Sequence, residues 1–167
     1  MVIITGIILN NMKNFRLLLI TLILAVSCNS DDDICVSGEA TPRLKMKFKE
    51  SQNNKLLKLN KLIVGVDYGE GEKTVLSTTA VDSVLIPLRV DNNLYTDIFI
   101  QTEEKGPKSK IRINYTSESQ YVSPACGFKK LYKDVSATLV TPNPVTSSEQ
   151  IKTEIINENP THLYLVF

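Results

Sequence analysis

Residues 42–167 predict an all-β fold, an antiparallel β-sandwich, immunoglobulin-like or similar, of about eight strands. Three observations carry this. Apolar and polar residues alternate with period two in several short segments, clusters of Gly, Pro, Asn and Asp separate those segments, and no stretch shows a convincing 3.6-residue period. Alternation implies a strand because successive side chains of an extended chain point to opposite faces of the sheet, one buried and one solvated.

The first strand follows Pro42, where Leu44, Met46 and Phe48 alternate with Arg43, Lys45, Lys47 and Lys49. Residues 51–60 either begin a long strand or form a loop. Leu62, Val64 and Val66 mark the second strand, which ends in the turn-rich Asp67-Tyr68-Gly69-Glu70-Gly71. Residues 84–90 are the third, and Pro87, with no amide hydrogen to donate, makes it an edge strand or a bulge. Asp91-Asn92-Asn93 is a turn signal before the next strand at 95–102, so these two are expected to pair as a hairpin.

Gly106-Pro107 places another turn at 103–108. Ile111, Ile113 and Tyr115 alternate with polar residues in the strand that follows, and Val135, Ala137 and Leu139 do so within 128–140. Thr141-Pro142-Asn143-Pro144 cannot continue a strand, since two prolines remove two ladder donors. Residues 151–156 and 162–167 supply two last short strands across Asn159-Pro160, and no internal repeat is evident.

The chain has 167 residues, of which 43% are apolar, which suits one core and excludes a long multi-domain enzyme. Its only strongly hydrophobic stretch is N-terminal: Lys13 and Arg16, an apolar run at 17–26, then small residues and Cys28. That run is too short to span a bilayer as a helix and predicts a secretory signal over 1–27. A start at Met12 gives the signal ordinary proportions, so the true start is expected there. Removing Lys13 and Arg16 from the total of 19 leaves 17 basic against 18 acidic side chains, a net of −1. No nucleic-acid partner is expected from that balance.

Ala25-Val26-Ser27-Cys28 resembles the lipobox of bacterial lipoproteins, which implies a lipid on Cys28 and a membrane partner through that anchor. Of three cysteines in an exported chain, lipidation consumes Cys28 and leaves Cys35 and Cys126 as an even pair. A disulfide between them is expected; metal ligation is the competing reading, but two cysteines and the single histidine, His162, fall short of a four-ligand site. Residues 28–41 then read as a lipidated cysteine and an acidic tether. Ser30-Asp31-Asp32-Asp33 is similar to the lipoprotein export signal of Bacteroidota, which implies an outer-membrane protein displayed at the cell surface.

Candidate chemistry is sparse. His162 reads as a turn-flanking residue, with no triad legible from spacing. Asp67, Glu70 and Glu72 fit no calcium loop and read as a solvated hairpin tip. Arg43, Lys45, Lys47 and Lys49 are the densest positive feature, either a face for anionic lipid or acidic glycan or a solvent face, including that of a protected edge strand. Asn114-Tyr115-Thr116 forms a sequon without expected meaning in a bacterial lipoprotein. Asp82-Ser83-Val84 resembles the O-glycosylation motif of exported Bacteroidota proteins and implies a sugar on Ser83. No metal or cofactor is expected.

Asp32-Asp33-Ile34-Cys35, Thr41-Pro42-Arg43-Leu44 and Ser123-Pro124-Ala125-Cys126-Gly127-Phe128 together resemble a Bacteroidota lipoprotein family carrying a domain of unknown function. The resemblance implies paired cysteines and an all-β fold and carries over no catalytic residue. Two functional classes follow: a lipid-anchored binding or interaction module for an envelope protein or glycan, or a hydrolase of envelope or other polymers whose carboxylates are not recognisable.

Overall fold

The computed structural model describes residues 40–167. Cys28, Ser30, Asp31, Asp32, Asp33 and Cys35 lie outside the described residues, as do the signal peptide and nearly all of the tether. Nine strands follow in order: β1 (Leu44–Lys49), β2 (Leu59–Asp67), β3 (Glu72–Val81), β4 (Ser83–Ile86), β5 (Tyr95–Gln101), β6 (Ser109–Ser123), β7 (Gly127–Thr141), β8 (Ser147–Gln150) and β9 (Leu163–Val166). They form a four-stranded sheet, β4-β1-β9-β8, and a five-stranded sheet, β3-β2-β5-β6-β7. The two pack as a β-sandwich around one apolar core.

Alternation places that core. Leu44, Met46 and Phe48 of β1 are fully buried, as are Leu163 and Leu165 of β9; Leu62, Val64 and Val66 of β2, Ile98 and Ile100 of β5, and Ile111 and Ile113 of β6 line the opposite sheet. Each such side chain removed from water contributes about 1.5–3 kcal/mol, so the inner faces dominate the fold's stability. Phe48 meets Phe167 edge to face at 5.8 Å, and Tyr115 meets Tyr132 at 4.9 Å. The β2–β3 turn closes as its sequence requires. The Asp67 Oδ1 accepts the Gly69 and Gly71 amides at 2.7 and 3.1 Å, and both glycines take the positive φ that favours glycine.

Two expectations need correction, and two features go beyond those expected. β3 falls where no strand is expected: it has no alternating apolar face, and all ten of its residues are exposed or half-buried at the edge of the sheet. Residues 84–90 and 95–102 are not a hairpin: β4 ends at Ile86, before Pro87, at the edge of one sheet, whereas β5 lies inside the other. The chain crosses between sheets, and buried polar contacts hold the crossing. Tyr132 Oη donates to the Arg89 carbonyl at 3.1 Å, the Arg89 amide donates to Thr96 Oγ1 at 3.0 Å, and that oxygen lies 2.7 Å from Tyr115 Oη.

Residues 151–156 are likewise not a strand of their own. The last sheet segment before β9 is β8, and the following chain clasps β7, with the Ile155 amide donating to the Tyr132 carbonyl at 2.8 Å and the Val135 amide donating to the Thr153 carbonyl at 2.8 Å. Finally, one strand pair of the antiparallel-rich sandwich is parallel. β1 and β9 pair in parallel, Met46 opposite Leu163 and Phe48 opposite Leu165, which returns the C-terminus to the centre of the first sheet.

Candidate functional site

The outer face of the four-stranded sheet carries the most concentrated charge pattern. Because Leu44, Met46 and Phe48 point inward, Lys45, Lys47 and Lys49 project from the other side of β1, about 7 Å apart along the strand. β1 lies between β4 and β9, so this is not a protected edge strand; the column runs through the interior of the sheet. Lys49 is held by Glu149 at 2.6 Å and lies 4.3 Å from the centre of the Tyr164 ring. The Lys45 Nζ donates to the Asn159 carbonyl at 3.1 Å, and Lys47 has no ion pair among the described residues. Beside the column, Arg43 and Lys45 border a groove of about 470 Å³ walled by Leu76, Val81 and Leu85.

A second cleft, of about 550 Å³, opens where Thr41 and Pro42 face Ile156 and Glu158. Among the described residues its one carboxylate is Glu158, and Arg43 grips it in bidentate fashion, Nε to Oε1 at 2.7 Å and a terminal nitrogen to Oε2 at 2.9 Å. That hydrogen bonding holds the Glu158 carboxyl below its ordinary range. A saturated carboxylate of lowered pKa is a poor general acid, and the described residues of the cleft lining offer no second one. Nearby His162 is fully buried, its Nδ1 accepting the Lys45 amide at 2.9 Å. Burial depresses its pKa, and its place between β1 and the chain after β8 is structural.

On the outer face of the other sheet, Asp97 is nearly buried beneath two cations. Arg112 pairs with it through two hydrogen bonds of 2.8 and 2.9 Å, and Lys110 approaches at 2.8 Å. The Arg112 guanidinium also stacks 4.0 Å from the centre of the Tyr95 ring. These groups satisfy one another, and their arrangement ties β5 to β6.

The last feature is an arm. Beyond Tyr115 no residue of β6 is buried, and before Tyr132 none of β7 is, so the far half of this hairpin stands out from the core. Near its end Tyr121 and Phe128 face each other at 5.4 Å with 56% and 69% of their surfaces exposed. The sequence marks neither as a site residue; the signal available was two aromatics flanking the turn-forming Ser123-Pro124-Ala125-Cys126-Gly127.

Among the other predicted residues, Cys126 is half-buried in the turn of this arm. Ser83 is half-buried at the start of β4, its Oγ donating to Asp82 Oδ1 at 2.9 Å. The carboxylates of the β2–β3 turn do not converge: Asp67 caps the turn, Glu70 pairs with Lys73, and Glu72 with Lys108 at 2.7 Å. Asn114 is half-buried on β6.

Residues 61–167 match the model of a family of unknown function, DUF6452, and the chain belongs to that family. No curated protein and no solved structure matches the sequence.

Proposed function

We propose that this member of the DUF6452 family is an exported lipoprotein whose β-sandwich is a binding module for an envelope glycan, peptide or protein. In this reading a lipid on Cys28 attaches it to the outer membrane and Ser30, Asp31, Asp32 and Asp33 direct it to the cell surface. A disulfide between Cys35 and Cys126 then staples the tether to the β6–β7 arm, and Ser83 accepts a sugar.

The observation that supports binding is the lysine column on the outer face of the four-stranded sheet. Four cations, Arg43, Lys45, Lys47 and Lys49, share that side of the molecule with Glu149 and Glu158, and the adjoining groove adds apolar walls. Such a face suits an anionic glycan or an acidic peptide by charge, with apolar contact for shape. The hydrolase alternative requires two carboxyl groups about 5 to 10 Å apart in a cleft. The described residues of the larger cleft lining hold one, locked by Arg43, which favours the binding module.

The test is affinity capture from envelope extracts with the native lipoprotein and with a Lys45→Gln, Lys47→Gln, Lys49→Gln variant. A partner retained by the first and lost by the second is expected. Equal capture by both removes this face from the proposal. Intact mass of the native mature protein, after subtraction of the lipid, reads the sugar on Ser83 directly.

A further inference from the structure

We infer that the end of the β6–β7 arm, through Tyr121 and Phe128, seats in the headgroup layer of the bilayer that holds the lipid anchor. The inference rests on the Cys28 anchor proposed above and goes beyond it, since an anchored domain need not touch the membrane.

Three observations on the described residues converge. First, an edge-to-face aromatic pair more than half exposed has no partner in the sandwich; tyrosine's amphipathic ring is enriched where apolar chains meet water at a membrane, and the Phe128 ring adds apolar surface beside it. Second, the arm's charge fits that layer. Residues 119–131 themselves hold Lys129 and Lys130 and no acidic residue, a composition suited to phosphate headgroups.

Third, the chain reaches the fold beside this arm. The Lys130 amide donates to Thr41 Oγ1 at 2.9 Å, and Phe128 lies two residues further out, roughly 7 Å along the strand. Cys28 is 13 residues before Thr41 in the sequence, a span of at most about 45 Å when fully extended. The described part of the chain therefore enters the fold on the side where the aromatic pair stands. Leu56 is the natural contrast, an exposed apolar residue bridged to Lys49 at the far end of β1 from Thr41.

The chain contains no tryptophan, so a single one introduced at either place is a local reporter. The experiment compares Phe128→Trp with Leu56→Trp in the full lipoprotein, reconstituted into vesicles of phosphatidylcholine and phosphatidylglycerol, with acylation confirmed by mass. The Phe128→Trp emission is expected to shift to shorter wavelength relative to its lipid-free Cys28→Ser form, and to be quenched by lipids brominated near the headgroup. The Leu56→Trp emission stays that of a water-exposed indole. Acylated protein that floats with the vesicles while both reporters remain water-like overturns the inference and leaves the anchor standing. Protein with no lipid mass that fails to float overturns the anchor and this inference with it. A Phe128→Trp shift that needs an envelope protein fraction and does not occur with lipid alone assigns the pair to a protein partner, which also overturns it.

Discussion

Lys45 and His162 hold each other by two hydrogen bonds in opposite senses: the Lys45 amide donates to His162 Nδ1 at 2.9 Å, and the His162 amide donates to the Lys45 carbonyl at 3.0 Å. The contact opens the parallel pairing of β1 with β9, which begins one residue later at Met46 and Leu163. An imidazole nitrogen thus substitutes for a carbonyl in the ladder. It can do so only while Nδ1 is unprotonated.

That geometry sets a pH dependence. Burial lowers the His162 pKa in the fold, while the unfolded chain takes up a proton near about 6.5. Above that value the residue is neutral in both states and the full contribution is present. As pH falls through it toward the lower folded value, the unfolded state binds more protons and stability declines. Urea unfolding midpoints should therefore drop between pH 7.5 and 5.5 in the wild type and drop less in His162→Phe. The variant should also lose about 1–3 kcal/mol at pH 7.5, because the Lys45 amide is left unsatisfied. Parallel pH curves would refute this role for the only histidine.

Asp97 should govern the acid limb. Its carboxyl is held low chiefly by the Arg112 hydrogen bonds, with Lys110 adding to them against the cost of burial. Its contribution is complete above the unfolded value of about 3.9 and is lost as pH falls through the folded one. Asp97→Asn should shift the acid-unfolding midpoint upward and cost about 1–3 kcal/mol at neutral pH. Circular dichroism across an acid titration reads both. An unchanged midpoint would show that the Asp97–Arg112 pair does not stabilise the fold.

Cys28→Ser should release the protein into the soluble fraction and abolish metabolic labelling with palmitate. Alanine at Asp31, Asp32 and Asp33 should leave it lipidated but shielded from external protease. Continued membrane attachment of the first variant sinks the anchor. Unchanged accessibility of the second reduces the acidic run to a spacer.

Replacing Cys35 and Cys126 with serine should lower the melting temperature. A bridge between them would close a loop of about 90 residues, for which chain entropy gives roughly 4–5 kcal/mol. For a domain of this size that corresponds to a drop on the order of 10–20 °C, measurable by calorimetry. A reductant should produce a similar drop in the wild type, and identical melting curves would rule the bridge out.

The sequence by itself determined the fold class and the inward faces of the long-patterned strands. Leu44-Met46-Phe48, Leu62-Val64-Val66 and Ile111-Ile113-Tyr115 were legible because a half-buried strand must alternate. It also pointed to Asp67-Tyr68-Gly69-Glu70-Gly71 as a turn, because the backbone there needs positive φ at two glycines. Only the tertiary structure decided what lies next to what. β3 escaped notice because an edge strand with no buried face has no pattern to read, and β4 and β5 separated into different sheets because a turn signal states that the chain reverses, not which sheet it rejoins. Burial of His162 and the saturation of Glu158 by Arg43, 115 residues away in sequence, depend on contacts between distant segments. So does the exposure of Tyr121 and Phe128. Two aromatics flanking a turn look the same in sequence whether a second sheet covers them or the hairpin carries them beyond the core.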